Sequence, residues 1–220
     1  MNSTSEKPLI MSGASVIATL EDRKHQTRRV IKPQPAMCNC QPSNWQASRC
    51  DWVGYKYSGR DTWFCHTCGA GLRAIDEWSS HGILCPYGQV GSHIWVRETW
   101  HQDTGLSSDK TIHYKADNLS DSYSWKPSIF MPRWASRLTL EITGVRVERV
   151  QEISHEDAIA EGCLNQVLSN MEPDFDMAIR PASDVFHELW DSLNKKRGYG
   201  WAVNPWTWAL DYKRVEGLRE

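Results

Sequence analysis

The chain has 220 residues, enough for one domain with an insertion or for two small domains. Its 25 Lys and Arg residues nearly balance 27 Asp and Glu residues, giving a formal net charge of −2. This charge excludes a global attraction to nucleic acid, so any such contact must be a local patch. No apolar run approaches a membrane span and the first residues lack the apolar core of a signal peptide, so we expect a cytoplasmic protein without a membrane partner.

The chain begins with a short strand, a helix and a second strand in its predicted secondary structure. After a flexible start at residues 1–8, the strands are predicted at residues 9–12 and 25–31, and the helix at residues 14–22, with Ser12 or Ser15 as its cap. Two prolines after the second strand end it, because proline cannot donate to a strand ladder.

A cationic turn connects this helix to the second strand. Half of residues 21–30 are Arg, Lys or His. A turn held by two elements, on which cations converge, is a common site for an anion or a polar ligand. Thr27 has a hydroxyl that can attack a carbonyl if a base takes its proton, and Lys24 can be that base if its pKa is lowered. A solvated basic turn is the alternative interpretation.

Residues 36–85 differ from their surroundings and are predicted to be an insertion. They contain six of the seven Cys residues and few aliphatic side chains, so metal binding would fold them. Cys65 and Cys68 have the spacing and the following glycines of a zinc knuckle, with Cys38 and Cys40 as the partner pair. Four thiolates would enclose the ion, which makes the predicted zinc structural; free thiols are the alternative. The rival ligands are Cys50, His66 and Cys85.

Regular structure resumes with a strand at residues 91–101. Its alternation places Trp95 and Arg97 on one face and Glu98 on the other. A charge that points inward needs a partner, because an unpaired buried charge is costly. We expect a salt bridge for Glu98 and a ligand contact for Arg97 beside Trp95.

An irregular loop is predicted at residues 125–137, which are rich in proline and aromatic residues. Arg133, Trp134 and Arg137 would present cations together with a stacking surface, which suits a nucleobase and its phosphate. A cover over the core is the alternative. In the following strand the apolar alternation changes phase at Gly144, which predicts a bulge or bend there.

Two helices and a strand complete the pattern. Ser154 begins a capping box for a short helix that ends at Gly162, and a second helix spans residues 181–194. A strand with one buried face is predicted at residues 206–212. Short helices between strands predict an α+β fold, a small barrel with helices at its ends. The predicted buried stripe of the second helix is Phe186, Leu189, Trp190 and Leu193.

As an ordered set, five motifs resemble the ASCH-domain family of the PUA-like superfamily, and more narrowly the prophage-encoded ASCH-like proteins of bacteria. The resemblance covers residues 9–35 and 86–216 and leaves the Cys-rich insertion outside. Asp22 stands where the family usually has Gly. The motifs are Asp-Arg-Lys-His-Gln-Thr-Arg-Arg from residue 22, Tyr-Gly-Gln-Val-Gly-Ser-His-Ile-Trp-Val-Arg-Glu-Thr-Trp from residue 87, Met-Pro-Arg-Trp-Ala-Ser-Arg from residue 131, Ala-Ile-Ala-Glu-Gly from residue 158 and Asn-Pro-Trp-Thr-Trp from residue 204.

The resemblance implies a PUA-like barrel with short flanking helices and a cleft for RNA, DNA or a modified nucleoside. One member, the bacterial N4-acetylcytidine amidohydrolase, uses a Lys and a Thr in this turn and a Glu in the short helix. The matching residues here are Lys24 as base, Thr27 as nucleophile and Glu161 as proton carrier or orienting carboxylate. The side chains expected to hold the ligand are Arg28, Arg29, Trp95, Arg97, Glu98, Arg133, Trp134 and Arg137.

Three functions of different class follow from these patterns. The preferred one is a non-catalytic reader of nucleic acid or of a modified nucleoside, because PUA-like folds bind more often than they cleave. The second is a hydrolase that removes an acyl group from a modified pyrimidine nucleoside. The third is a protein-interaction module that uses exposed residues among the twelve Trp.

Overall fold

The computed structural model describes residues 6–34, 52–57, 60–65, 84–103, 111–117, 122–167 and 179–215. These residues form a mixed α+β structure with one five-stranded sheet, three two-stranded sheets and short helices. The strands are β1 (Lys7–Ile10), β2 (Gln26–Val30), β3 (Trp52–Tyr57), β4 (Arg60–Cys65), β5 (His93–Arg97), β6 (Trp100–Gln102), β7 (Ile112–Tyr114), β8 (Thr139–Arg149), β9 (Gln166–Val167), β10 (Ile179–Arg180) and β11 (Trp206–Val215). The α-helices are α1 (Gly13–Leu20), α2 (His155–Ala160) and α3 (Ala182–Asn194).

The main sheet has the strand order β1-β5-β8-β11-β2. β1 is parallel to β5, and the other pairs are antiparallel. Backbone pairing does not close the described strands into a barrel, since β1 and β2 remain the two unpaired edges of the main sheet. The sheet is nevertheless strongly curled. This is shown by a hydrogen bond between its two edge strands, in which Arg29 Nη2 on β2 donates to the carbonyl of Ile10 on β1 over 2.5 Å. In a flat sheet, four strand spacings of about 4.8 Å would separate these edges.

The bend predicted at Gly144 is present as a shift of register between β8 and β11. Gly144 pairs with Asp211 and Ile142 pairs with Tyr212, so one additional residue of β8 lies between the two pairs. A Cβ atom at Gly144 would overlap the carboxylate of Asp211. The glycine therefore gives room to an acidic side chain that belongs to the polar network described below.

Both faces of β11 are buried over residues 206–210, so the prediction of one buried face is wrong there. Trp208 and Leu210 point into the core on one face, and Thr207 and Ala209 are equally buried on the other. The reason is the position of β11 between β8 and β2, with side chains of β2 and α2 lying over its second face. Position within a sheet is decided by long-range pairing and cannot be obtained from alternation in one strand.

The helix caps follow the sequence closely. Ser12 Oγ accepts from the backbone N–H of Ser15, which caps α1, and Ser154 Oγ accepts from that of Asp157, which caps α2. After α2 the chain turns at Gly162, whose φ of 87° favours glycine. None of the described helices is both long and apolar enough to cross a bilayer.

The buried stripe of α3 differs from the prediction. Phe186 and Trp190 are buried as expected, but Leu189 and Leu193 are 38% and 53% exposed. Phe186, Trp190 and Ala182 are four residues apart and pack with Val150, Ala158 and Cys163. Because the neighbours of α3 lie on that side only, the leucines at the other edge of the predicted stripe remain exposed.

Candidate functional site

The cationic turn is held by three elements. The N–H groups of Arg23 and Lys24 donate to the carbonyl of Ala18 in α1, and that of His25 donates to Ala160 in α2. The carbonyl of His25 accepts from Tyr212 in β11. Asp22 has a φ of 56°, in the left-handed region that Gly adopts freely and Asp tolerates.

Lys24 and Glu161, 137 residues apart in sequence, meet below the turn. Lys24 Nζ lies 2.6 Å from Glu161 Oε2 and also donates to the Glu161 carbonyl over 2.6 Å. Both side chains are buried. Gly162 adjoins them, and a Cβ atom there would lie 3.2 Å from Lys24 Cβ. The structure thus brings together two of the three predicted catalytic side chains in a buried ion pair.

The second carboxylate oxygen of Glu161 lacks a donor. Among the described residues Oε1 has no hydrogen-bond partner although it is buried, and the Arg28 Nη1 atom lies 3.7 Å away. A buried acceptor without a donor is costly, and such atoms are uncommon in folded proteins. Glu161 therefore keeps one acceptor without a hydrogen bond next to the Lys24 ammonium.

Arg28 belongs to a buried polar network. Its Nη2 atom lies 2.9 Å from Glu148 and 2.7 Å from Asp157, and its side chain is inaccessible to solvent. Burial raises the pKa of Asp157, but hydrogen bonds from Gln26 and Arg28 outweigh it, so that the pKa is lowered. Arg28, predicted to contact a ligand, has these donors occupied by structural partners. The network consists of Gln26, Arg28, Arg146, Glu148, Asp157 and Asp211.

Thr27 and Arg29 lie on the opposite face of β2 from Arg28, inside the curl of the sheet. Thr27 pairs with Leu210 and is buried. No hydrogen bond within the described part of the chain joins its hydroxyl to Lys24 or Glu161. Arg29 has no carboxylate partner there either, and its Nε atom is buried without an acceptor. Arg29 is therefore a cation whose charge is available inside the curl.

The other predicted ligand residues lie near the opposite edge, around β5. The guanidinium carbons of Arg97 and Arg133 lie 4.7 and 6.0 Å from the ring centre of Trp95. Arg133 also pairs with Glu6 at 2.5 Å. Trp134 is 61% exposed. The eight predicted ligand residues thus form two groups, one on β2 and one around β5.

Glu98 and Arg137 form the buried salt bridge expected for Glu98. Two hydrogen bonds of 2.9 Å join Arg137 Nε and Nη2 to the Glu98 carboxylate, and Arg137 Nη1 donates to Asp117. Glu98 is only 1% exposed, and burial raises its pKa although the hydrogen bonds from Arg137 oppose the shift. The pair fixes the strand end to the loop after Trp134; a ligand role for either residue stays a prediction.

The predicted zinc ligands lie mostly beyond the described residues. Cys65 is the last residue of β4, whereas Cys38, Cys40 and Cys68 are outside the described ranges, as are the rivals Cys50 and His66. Within those ranges no three His, Cys, Asp or Glu side chains are grouped to hold a metal. Cys85 is a free thiol, and burial raises its pKa to about 11. The zinc site therefore remains a prediction from the sequence.

A comparison of the chain with family models, curated proteins and solved structures finds no match.

Sequence reasoning missed the polar network and the exposure of Phe130. Arg146 and Glu148 alternate with Val145 and Val147 in β8, which indicates a charged face on a long strand. The acidic residue of β11, Asp211, lies among large apolar side chains and is a second signal. Phe130 carried no signal, because an exposed aromatic side chain and a buried one look alike in sequence.

Proposed function

We propose that this chain is an ASCH-type, PUA-like protein that reads a modified nucleoside, free or within nucleic acid, at the turn before β2 without cleaving it. The observation that carries the proposal is the buried Glu161 carboxylate, with one oxygen bound to Lys24 and the other lacking a donor. A buried acceptor beside an ammonium matches a ligand group that carries an N–H next to a carbonyl. The left-handed backbone of Asp22 supports the family assignment.

An acylated exocyclic amine of a pyrimidine has this donor and acceptor pattern. Its N–H would donate to Glu161 Oε1, and its acyl carbonyl would accept from Lys24 Nζ. Arg29 adds a cation without a carboxylate partner among the described residues. Unmodified cytidine has the N–H but no acyl carbonyl, so the site would discriminate through the bond from Lys24, since unsatisfied buried groups penalise the wrong ligand.

The test is calorimetric titration with N4-acetylcytidine, cytidine and uridine. We expect binding of the acetylated nucleoside and a loss of about 10-fold or more in affinity for Glu161→Gln, since hydrogen bonds to charged groups contribute about 1.5–3 kcal/mol. Glu188→Gln is the matched control, because Glu188 is exposed on α3. An unchanged affinity in Glu161→Gln would contradict the proposed reader site.

The second candidate function is an amidohydrolase, favoured by the 2.6 Å separation of Lys24 Nζ and Glu161 Oε2. Glu161 can take a proton from Lys24, and the resulting amine can take the proton of the Thr27 hydroxyl. Thr27 Oγ1 would then form a bond to the acyl carbon while the carbon–nitrogen bond breaks. The leaving nitrogen would receive a proton from Lys24, and water would hydrolyse the Thr27 ester.

Deacylation of N4-acylated cytidines distinguishes the two functions. Turnover by the wild type that is lost in Thr27→Ala and retained in part by Thr27→Ser would establish the hydrolase. Binding without turnover in the wild type would leave the reader. The third possibility is a protein-interaction module. A complete lack of nucleoside binding would favour it over the other two.

We also propose that Cys38, Cys40, Cys65 and Cys68 hold a structural zinc ion in the insertion. Purified protein should contain about one zinc ion per chain, and both Cys65→Ser and Cys68→Ser should lower this content, because a structural site needs all four ligands. The control is Cys163→Ala, since Cys163 is a buried free thiol beside α3. Protein that lacks zinc and folds normally with a chelator present would contradict this proposal.

A further inference from the structure

A cluster of large side chains is exposed on the loop that precedes β8. Ile129, Phe130 and Trp134 are 54%, 66% and 61% exposed, although all three are apolar or aromatic. We call these residues, together with Lys126 and Arg97, the 126–134 surface. Clustered exposed apolar side chains on a folded protein mark an interaction site, whereas isolated ones need no explanation.

The 126–134 surface is held in a fixed conformation. Met131 and Ala135 lie in the same loop and are fully buried, where they pack with Trp100. The loop forms short turns of 3-10 helix at Ser128–Phe130 and Arg133–Ala135. Arg97 Nη1 donates to the carbonyl of Ile129 over 3.2 Å. The exposed side chains are therefore presented by an anchored backbone, which reduces the entropy that binding would cost.

Cations without carboxylate partners accompany these rings. Neither Arg97 nor Lys126 has a carboxylate within ion-pair distance among the described residues. Lys126 Nζ lies 4.8 Å from the ring centre of Trp100, and Trp134 contacts the same ring at 5.8 Å in a perpendicular arrangement. The nearby Glu6 is neutralised by Arg133. The surface thus combines stacking rings with uncompensated positive charge.

We propose that the 126–134 surface binds single-stranded nucleic acid. Phe130 and Trp134 would stack on bases, and Arg97 and Lys126 would bind phosphates, which is the combination that single-strand binders use. Uncompensated cations favour this occupant over an apolar protein segment, which would leave their charge without a partner. The inference rests on the proposed function in one respect: a strand bound here would carry the nucleoside that is read at Lys24 and Glu161.

The two places are built on different strands of the main sheet. Lys24 precedes β2 at one edge, whereas Arg97 ends β5, which pairs with β1 at the other. In a bound polynucleotide, the 126–134 surface would hold nucleotides that flank the modified one.

The experiment is fluorescence anisotropy of labelled oligothymidylate and oligouridylate titrated with the full chain at several salt concentrations. We expect Trp134→Ala and Phe130→Ala each to weaken binding by about 5- to 150-fold, the range that loss of one stacked base gives. Arg97→Gln and Lys126→Gln should each reduce the salt dependence, because each removes about one phosphate contact. The matched control is Leu193→Ala on α3, an exposed apolar residue outside the surface, which should bind as the wild type does.

The outcomes separate this surface from the nucleoside site. Oligonucleotide binding that persists in Glu161→Gln and is lost in Trp134→Ala supports the surface, even if nucleoside titrations fail. The proposal is overturned if the wild type does not bind oligonucleotides, or if Trp134→Ala and Phe130→Ala bind them as tightly as the wild type. Either result holds whatever the nucleoside titrations give. Binding of a protein to this surface with no affinity for oligonucleotides overturns it as well.

Discussion

Lys24→Met is expected to lower the free energy of unfolding by about 3–5 kcal/mol, because it leaves the buried Glu161 carboxylate without the ammonium that binds Oε2. Arg28 compensates only in part, since its Nη1 atom pairs with Oε1 over 3.7 Å without a hydrogen bond and its Nη2 atom is bound to Glu148 and Asp157. Urea unfolding followed by circular dichroism would measure the change, with the m-value as a check that the unfolding transition is the same.

A double variant and a surface control make this result specific. Lys24→Met combined with Glu161→Leu should recover part of the loss, because the buried charges are removed together. Lys195→Met removes an exposed lysine that lies 3.8 Å from Asp191, and it should change stability by less than about 1 kcal/mol. If Lys24→Met were as stable as the wild type, the ion pair would not be buried as described.

Arg137→Met is expected to be the second severe substitution, also at about 3–5 kcal/mol, because Glu98 would be left buried without a cation. Glu98→Gln should lower the free energy of unfolding by less than Arg137→Met does. Glutamine keeps the shape of the side chain, and Arg137 keeps its bond to Asp117. The two substitutions differ because only Arg137→Met leaves a desolvated charge behind, and desolvation already raises the pKa of Glu98 in the intact pair.

The effect of pH provides the check on this prediction. A carboxyl whose pKa is raised by folding binds its proton more readily in the folded state. The loss of stability that its ionisation causes is therefore absent below the pKa of the unfolded state, and it grows as the pH rises through the pKa of the folded state. In Arg137→Met the pKa of Glu98 should rise further, so the destabilisation should shrink in mildly acidic solution. Arg133→Met, which breaks the more exposed pair with Glu6, is the control. Equal losses in Glu98→Gln and Arg137→Met would contradict the asymmetry.

Local features of the fold were predictable because they depend on neighbours in sequence. The caps at Ser12 and Ser154 and the bulge beside Gly144 each need only a few residues to define them. The exposure of Leu189 and the burial of Thr207 depend instead on which elements pack against α3 and β11. No periodicity within either element contains that information.

The candidate site was predictable only in part. The pairing of Lys24 with Glu161 follows from the resemblance to a family and from no pattern in the residues themselves. The sequence gives no sign that Arg28 is bound by Glu148 and Asp157, because those partners lie on other elements. Nor does it show that the ligand residues divide between β2 and the surroundings of β5, since that division arises from strand order.

The strand order also affects the time course of folding during synthesis. β2 is among the first strands to leave the ribosome, yet its backbone partner in the main sheet is β11, some 180 residues later in the chain. β8 also lacks a backbone partner on one side until β11 has been synthesised. Such distant pairing is slow, because a long loop must close before contacts compensate for the lost entropy. A nascent chain that stalls before residue 206 would leave β2 and one side of β8 open to other chains, so chaperone binding during translation should concentrate on these two strands.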